Sequence, residues 1–400
     1  MKILNKFFRW LTSDSKPKAN QVRLDNNILF SAIILMTIGV VMVYSSSIAY
    51  AGRDSGVGNQ YFYLMRHVVN LFLGLVCGLV AFNIDTRTLS KNADKILMIV
   101  ILVLIAVLIP HVGRVVNGAR RWISLGVMNL QPSELGKLAI AIYMANYLKS
   151  GARNLTTKDT FVLMGAVLTV LACLILEPDL GATTVVAVIA FSIFFLADGS
   201  MKYVSVVAGL GAAAFSLLVF TSEYRMKRVL GFLDPWEDAL GKGYQLSHSL
   251  LAFGHGGWTG VGLGNSIEKL YYLPEAHTDF IMAIIGEEFG VVGVLIVLLL
   301  FWIIFYRGST VIATEAKRIP GRKFQGLLAN GISIWFFFQA IVNVGVVIGM
   351  LPTKGLTMPF ISYGGSSVLI NCIALAILLR IDVENKAYFV SKKDEKNYHY

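Results

Sequence analysis

Charge is scarce in this sequence. Only 15% of its 400 residues are Asp, Glu, Lys or Arg, where a soluble domain carries about 25%. That shortage excludes a water-soluble enzyme, because 56% of the chain is apolar before its 37 glycines are counted, and the apolar residues gather in runs long enough to cross a bilayer. Cysteine is scarcer still. Cys77, Cys173 and Cys372 each stand inside an apolar run without a CxxC spacing or a neighbouring His, which excludes a disulfide framework and a thiolate metal site. Period-two alternation is missing too: the runs are continuous, so an outer-membrane barrel is excluded and helices are the remaining way to span. The first 27 residues hold six Lys or Arg and no long apolar stretch, so no cleavable leader is expected. Fixed-period repeats and low-complexity tracts are absent.

What is present reads as an all-α, polytopic integral membrane protein of ten transmembrane helices. The apolar runs, bounded by polar, Gly or Pro punctuation, place spans at 28–50, 61–82, 95–110, 132–148, 160–176, 180–196, 201–221, 279–306, 325–350 and 366–381. Residues 1–27 and 382–400 are then basic tails flanking one membrane domain, 28–381, and the large extracytoplasmic loop between spans seven and eight is 222–278. With the N-terminus inside, 23 basic residues fall in cytoplasmic segments or at the cytoplasmic ends of spans (Lys95, Lys202 and Arg380) and 10 in outside segments, which fits the positive-inside rule and assigns both termini to the cytoplasm. The net charge of +11 therefore speaks for topology, and no nucleic-acid partner is expected.

Ionisable groups at membrane depth are costly and are the first candidates for function. Glu134 and Lys137 stand three apart near the start of span four, on one helical face, either as a salt bridge or with Lys137 offering an ammonium to an anion. Arg66 in span two reads as a residue reaching the interface. Arg120 and Arg121 stand beside Trp122 on the outer side, two guanidinium forks suited to phosphate oxygens. Glu275, His277 and Asp279 alternate just before span eight, where Thr278 or Asp279 can serve as a helix N-cap or as reacting groups. Glu287 and Glu288 lie deeper in that span. The glycines from 254 to 264 fit tight turns packing backbone against the membrane surface, and no Walker GK[ST] follows them. The 351–365 connection, with Lys354, Ser362 and Tyr363, reads as re-entrant, because two prolines and several glycines and hydroxyls separate two spans.

The stretches Arg121-Trp122-Ile123, Gln131-Pro132-Ser133-Glu134-Leu135-Gly136-Lys137, Glu177-Pro178-Asp179-Leu180-Gly181, Leu273 to Phe280 and Ile361 to Ser367 resemble, in order and spacing, the SEDS family of bacterial membrane proteins. Pro274-Glu275-Ala276-His277 and Pro352-Thr353-Lys354-Gly355-Leu356 are similar to its division branch. Tyr271 departs from close relatives, which often carry Glu there. The resemblance implies a peptidoglycan glycosyltransferase of the bacterial inner membrane. It would polymerise lipid II, a disaccharide-pentapeptide on undecaprenyl pyrophosphate, at the septum with a class B penicillin-binding protein and other divisome proteins. It implies Asp279 as the catalytic carboxylate. Arg120, Arg121, Lys137 and Lys354 are candidate cations for the pyrophosphate, and Glu134, Glu275, His277, Ser362 and Tyr363 are candidate substrate contacts.

The chemistry agrees: a sugar hydroxyl attacks an anomeric carbon as pyrophosphate leaves, so one base and a cationic leaving-group site suffice for a single inversion. No cofactor is required. A divalent cation, Mg or Mn, fits the pyrophosphate chemistry, but no ligand cluster in the sequence identifies its site. A lipid II flippase and a non-enzymatic scaffold for the penicillin-binding protein are the alternatives. A flippase would place its charges near the midplane, whereas here the densest polar constellation falls in the outer loops.

Overall fold

A computed structural model describes residues 24–54, 59–116, 119–124, 126, 129–199, 234–241, 243–353 and 355–397, together with single residues at 209, 211, 226 and 232. The seventh expected span, 201–221, and Lys354 therefore fall outside the described residues, apart from Gly209 and Gly211. The other nine spans are helices: α1 (Asn26–Asp54), α2 (Phe62–Asn83), α4 (Ala93–Leu108), α5 (Pro132–Tyr147), α6 (Thr157–Leu176), α7 (Leu180–Leu196), α9 (Ile281–Tyr306), α11 (Lys323–Val347) and α12 (Gly365–Asn397), with short helices α3 (Thr86–Lys91), α8 (Tyr244–Gly256) and α10 (Ala313–Arg318) between them. Six are long and apolar enough to cross a membrane. Helices α4 and α5 have only 16 residues each, about 24 Å against a hydrocarbon core of about 30 Å.

Those two short helices meet a small sheet. Strands β1 (Gly113–Val116), β2 (Ala119–Ser124) and β3 (Asn129–Leu130) form an antiparallel sheet in the order β1-β2-β3 between α4 and α5. Gln131 N donates to Ser366 Oγ (2.9 Å), and that hydroxyl donates to Asn129 O (2.7 Å), so β3 is fastened to the start of α12.

Helices α11 and α12 are the most enclosed of the long helices, and α2, α6 and α9 the least. The enclosed helix α11 packs on α5, α7, α9 and α12, while α2 lies along α12. Two boundaries differ from expectation. Helix α12 runs on to Asn397, so residues 382–397 continue the last span as helix. There Arg322, at the start of α11, pairs with Glu384 and holds the extension to it, while Arg380–Glu384 (2.9 Å) and Lys386–Asp382 (2.6 Å) brace α12 one turn apart. Helix α9 starts at Ile281 and not at Asp279, and it is interrupted at Gly290, whose φ is 65°.

That interruption explains the glycine run. The backbone groups around the break are taken up by the 257–262 segment: Val261 N donates to Glu287 O and Gly262 N to Glu288 O, both 3.0 Å, while Val291 N and Val292 N donate to Gly257 O (3.0 Å) and Trp258 O (3.2 Å). In an apolar setting a broken helix persists only when its freed groups find such partners. The approach excludes side chains, since a methyl group on Gly260 would lie 2.2 Å from Glu288 O.

Candidate functional site

The segment between this wedge and α9 carries the carboxylate of interest. Its turn is shaped by Glu275, at φ 57°, whose carbonyl accepts from Thr278 N (3.1 Å) and Phe280 N (3.2 Å) and whose carboxylate accepts from Thr278 Oγ1 (2.6 Å). Phe280 occupies the N-cap of α9 and makes no side-chain cap. Neither Thr278 nor Asp279 is therefore the N-cap residue. Glu275 shapes the loop, and Asp279, partly exposed, follows its turn.

The 351–365 connection closes over this turn. Tyr363 N donates to His277 O (2.9 Å), Ser362 Oγ donates to Thr278 O (2.6 Å), and Met358 N donates to Ser362 Oγ (2.7 Å). A methyl group added to Gly355 would lie 3.0 Å from Asp279 Oδ2, so the glycine lets backbone pass beside the carboxylate. Two amides one turn apart on α11 hold the arrangement, and the sequence reading missed both. Asn343 Nδ2 donates to Asp279 O (3.0 Å) and Leu356 O (2.6 Å), and Gln339 Nε2 donates to Thr357 O (2.7 Å). Their signal was an i, i+4 pair of amides inside an apolar run, a polar stripe turned to the bundle interior.

His277 sits in an aromatic cluster with Tyr63 (4.7 Å between ring centroids), Tyr363 (5.6 Å) and Tyr50 (6.0 Å). Burial holds its imidazole below the usual value, against the opposing pull of Glu275. Its Nδ1 is buried without a hydrogen-bond partner.

Lys137 and Glu134 are brought together as the spacing suggested. The ammonium is fully buried, 2.8 Å from Glu134 and 3.1 Å from Gln339 Oε1, and it lies 5.0 Å from the centroid of the Trp335 ring. Through Gln339 it is linked to the loop that carries Gly355. Arg120 and Arg121 are directed inward to backbone. Arg120 donates to Leu108 O (3.1 Å), and Arg121 donates through Nε to Glu177 O (3.0 Å) and through its other arm to Pro178 O. These contacts tie β2 to the end of α4 and to the turn before α7. Glu287 and Glu288 are matched by the loop and not by a basic span: Lys269 Nζ meets Glu288 at 2.6 Å and Ser45 Oγ at 3.0 Å, and Glu287 accepts from Ser266 Oγ, Ile267 N and Glu268 N.

The Glu177-Pro178-Asp179 turn joins the same end of the bundle. Asp179 caps α7 by accepting from Ala182 N (3.0 Å) and also accepts from Ser133 Oγ (3.0 Å). A methyl group on Gly181 would lie 2.8 Å from Leu356, so α7 begins against the loop that holds Gly355. Glu177 is fully buried with neither carboxylate oxygen hydrogen-bonded. Burial, then the charge of Asp179, push it up from 4.5 to about 8, with Arg121 pulling the other way.

The folded protein thus holds this proton more tightly than the unfolded chain. The stability it contributes is present at low pH and is lost as pH rises towards and through about 8. Glu177→Gln, which keeps a neutral group, should flatten the fall in thermal stability of the purified protein between pH 6 and about 9. An unchanged pH slope would show that Glu177 is ionised in the fold.

The fold and these contacts define a polytopic helical membrane protein with a carboxylate, Asp279, at one end of the bundle between two structured loops. Residues 25–387 match the family model for the FtsW, RodA and SpoVE cell cycle proteins, and the chain belongs to that family. It is 48% identical over 375 residues to a probable peptidoglycan glycosyltransferase FtsW of Burkholderia thailandensis, covering 92% of this chain and 80% of that one. A second, from Aromatoleum aromaticum, is 47% identical over 372 residues, covering 92% and 90%. Among solved structures, the chain is similar to one described under the structural coordination of polymerization and crosslinking by a peptidoglycan synthase complex. The TM-score is 0.72 at 28% identity, covering 90% of this chain and 98% of that one. It is also similar to the rod shape determining protein RodA of Thermus thermophilus, with a TM-score of 0.65 at 26% identity, covering 91% and 98%.

Proposed function

We infer that this chain is a peptidoglycan glycosyltransferase that polymerises lipid II during septal wall synthesis, with Asp279 as general base. The observation that carries the residue assignment is the convergence on Asp279. Its backbone carbonyl is held by Asn343, Gly355 passes beside its carboxylate, and both flanking loops are hydrogen-bonded to each other. A fixed carboxylate can take the proton from the attacking sugar hydroxyl, and a cation must meet the departing pyrophosphate. Lys354 directly precedes Gly355 in the sequence and remains a candidate for that cation. Arg120, Arg121 and Lys137 support the loops around the site through the contacts described above. Among the described residues no three His, Cys, Asp or Glu side chains are gathered as a metal site.

The reading places Asp279 on the periplasmic face with both termini in the cytoplasm, and takes a class B penicillin-binding protein as the crosslinking partner. It is supported by the distribution of basic residues. Family membership and the relatives named as peptidoglycan glycosyltransferases support the chemistry. After replacement of the three native cysteines, single cysteines at Asp238 and Thr353 should react with an impermeant thiol reagent in intact spheroplasts. Single cysteines at Lys91 and Ser391 should react only after lysis. Labelling of Lys91 in intact cells would reverse the orientation. The activity is tested by incubating the purified chain with labelled lipid II, which should yield long strands that a muramidase degrades.

A further inference from the structure

We propose that the buried ion pair between Lys269 and Glu288, seated on the last turns of α1, is a positioning pair for Asp279: it fixes the loop that carries the carboxylate and does not touch substrate. This rests on the glycosyltransferase reading for the reaction it serves, and on the contacts below for the placement of the loop.

Lys269 and Glu288 stand 19 residues apart and close a ring of chain that contains the whole reacting segment. Lys269 Nζ lies 2.6 Å from Glu288 Oε1, both side chains are buried, and Ser45 Oγ of α1 donates to the same oxygen (2.6 Å). Glu288 stands just before the break at Gly290, so the pair ties the loop to the part of α9 into which Asp279 leads. From Lys269 the chain makes two consecutive turns. The first is closed by Leu273 N donating to Glu268 O (2.9 Å), the second by Thr278 N and Phe280 N donating to Glu275 O, and Asp279 lies in the second. The Tyr50 hydroxyl donates to Leu273 O (3.1 Å) and the Tyr271 hydroxyl to Ala49 O. Helix α1 therefore grips the first turn at Ser45, Ala49 and Tyr50, and the turn that follows carries the carboxylate.

Two features give this grip a role beyond stability. Tyr271 and Glu275 adopt left-handed backbone, at φ 68° and 57°, although neither is glycine. Such conformations persist only where the surroundings over-determine them, and they gather at functional sites. The contacts from α1 and α9 supply that constraint on the turn that holds Tyr271. A buried ion pair is also an inefficient source of stability, because desolvation of the two charges offsets much of their attraction and an uncharged pair of like volume is often as stable. What such a pair supplies is one fixed geometry. A general base needs it, since a displacement of about 1 Å can cost about 100-fold in rate.

The test uses purified wild-type, Lys269→Met, Lys269→Arg, Tyr50→Phe and doubly substituted Lys269→Met, Glu288→Gln proteins in nanodiscs. Thermal unfolding, kcat and KM for lipid II, and hydrogen exchange of the 270–280 peptide are measured. Lys269→Met leaves Glu288 uncompensated and should lower the melting temperature. The double variant removes both charges and should melt near wild type, yet its kcat should fall about 10-fold or more at unchanged KM. Exchange in 270–280 should quicken in that variant while exchange in α5 and α11 does not. Lys269→Arg, which keeps the charge, should retain more of kcat than Lys269→Met. Tyr50→Phe removes one contact from the same turn and should give a smaller loss of the same kind, which carries the test should the double variant fold poorly. Unchanged exchange in both the double variant and Tyr50→Phe would overturn the proposal whatever their activity. Quickened exchange with wild-type kcat would overturn it too, leaving the pair a contributor to stability alone, and a raised KM would mark Lys269 as a substrate contact instead. If the wild-type chain makes no polymer, quickened exchange in the variants would sustain the positioning pair and count against the glycosyltransferase reading.

Discussion

Asp279→Asn is expected to abolish glycan polymerisation while the protein inserts, folds and melts as wild type. The side-chain change is isosteric, and the contact that holds this position, Asn343 Nδ2 to Asp279 O, is made to backbone and survives it. The helix start is also unaffected, because Phe280 and not Asp279 occupies the N-cap. An amide cannot accept the proton of the attacking hydroxyl. Loss of a general base removes about 10²–10⁴-fold in rate, which a gel of labelled lipid II products registers as absence of strands. If Asp279 were structural, asparagine would change little in either measurement.

Lys137→Met should produce the largest loss of stability. The ammonium is fully buried beside Glu134 and Gln339, and removing one partner of a buried pair leaves the other charge uncompensated, at a cost of about 3–5 kcal/mol. Adding Glu134→Gln should restore most of it, because both charges are then gone. Thermal unfolding of the three proteins in one detergent distinguishes this from direct substrate contact. A Lys137→Met protein that melts as wild type but shows a raised KM for lipid II would place the ammonium on substrate.

Much of this architecture follows from elementary patterns, and the exceptions have physical causes. Apolar run length and the Pro and Gly punctuation located the nine described spans to within a few residues, apart from the end of α12, which runs on to Asn397, since a helix is the spanning structure such runs allow. The small sheet was missed although Asn117-Gly118, a strong hairpin signal, lies between β1 and β2 in the sequence. Helix α9 was read as continuous because one glycine in an apolar run gives no warning that residues 257–262 supply the hydrogen bonds of a break at Gly290.

At the site, spacing paired Glu134 with Lys137, and the family resemblance marked Asp279. Neither could show where the long side chains reach. Arg121 bonds the carbonyls of Glu177 and Pro178 across a separation of 56 and 57 residues, and backbone carbonyls leave no trace in residue types. Gln339 and Asn343 carry no charge to mark them in the sequence, yet uncharged amides suffice to hold carbonyls in an apolar bundle.

The most direct measurement is the product formed by the purified wild-type chain in liposomes containing labelled lipid II, with the penicillin-binding protein absent. Both polymer length and movement of lipid II between leaflets are followed. Muramidase-sensitive strands from the chain alone, with no transfer of lipid II across the bilayer, are the predicted result. Lipid II crossing the bilayer without strand formation would contradict it, as would strands that appear only when another polymerase is added.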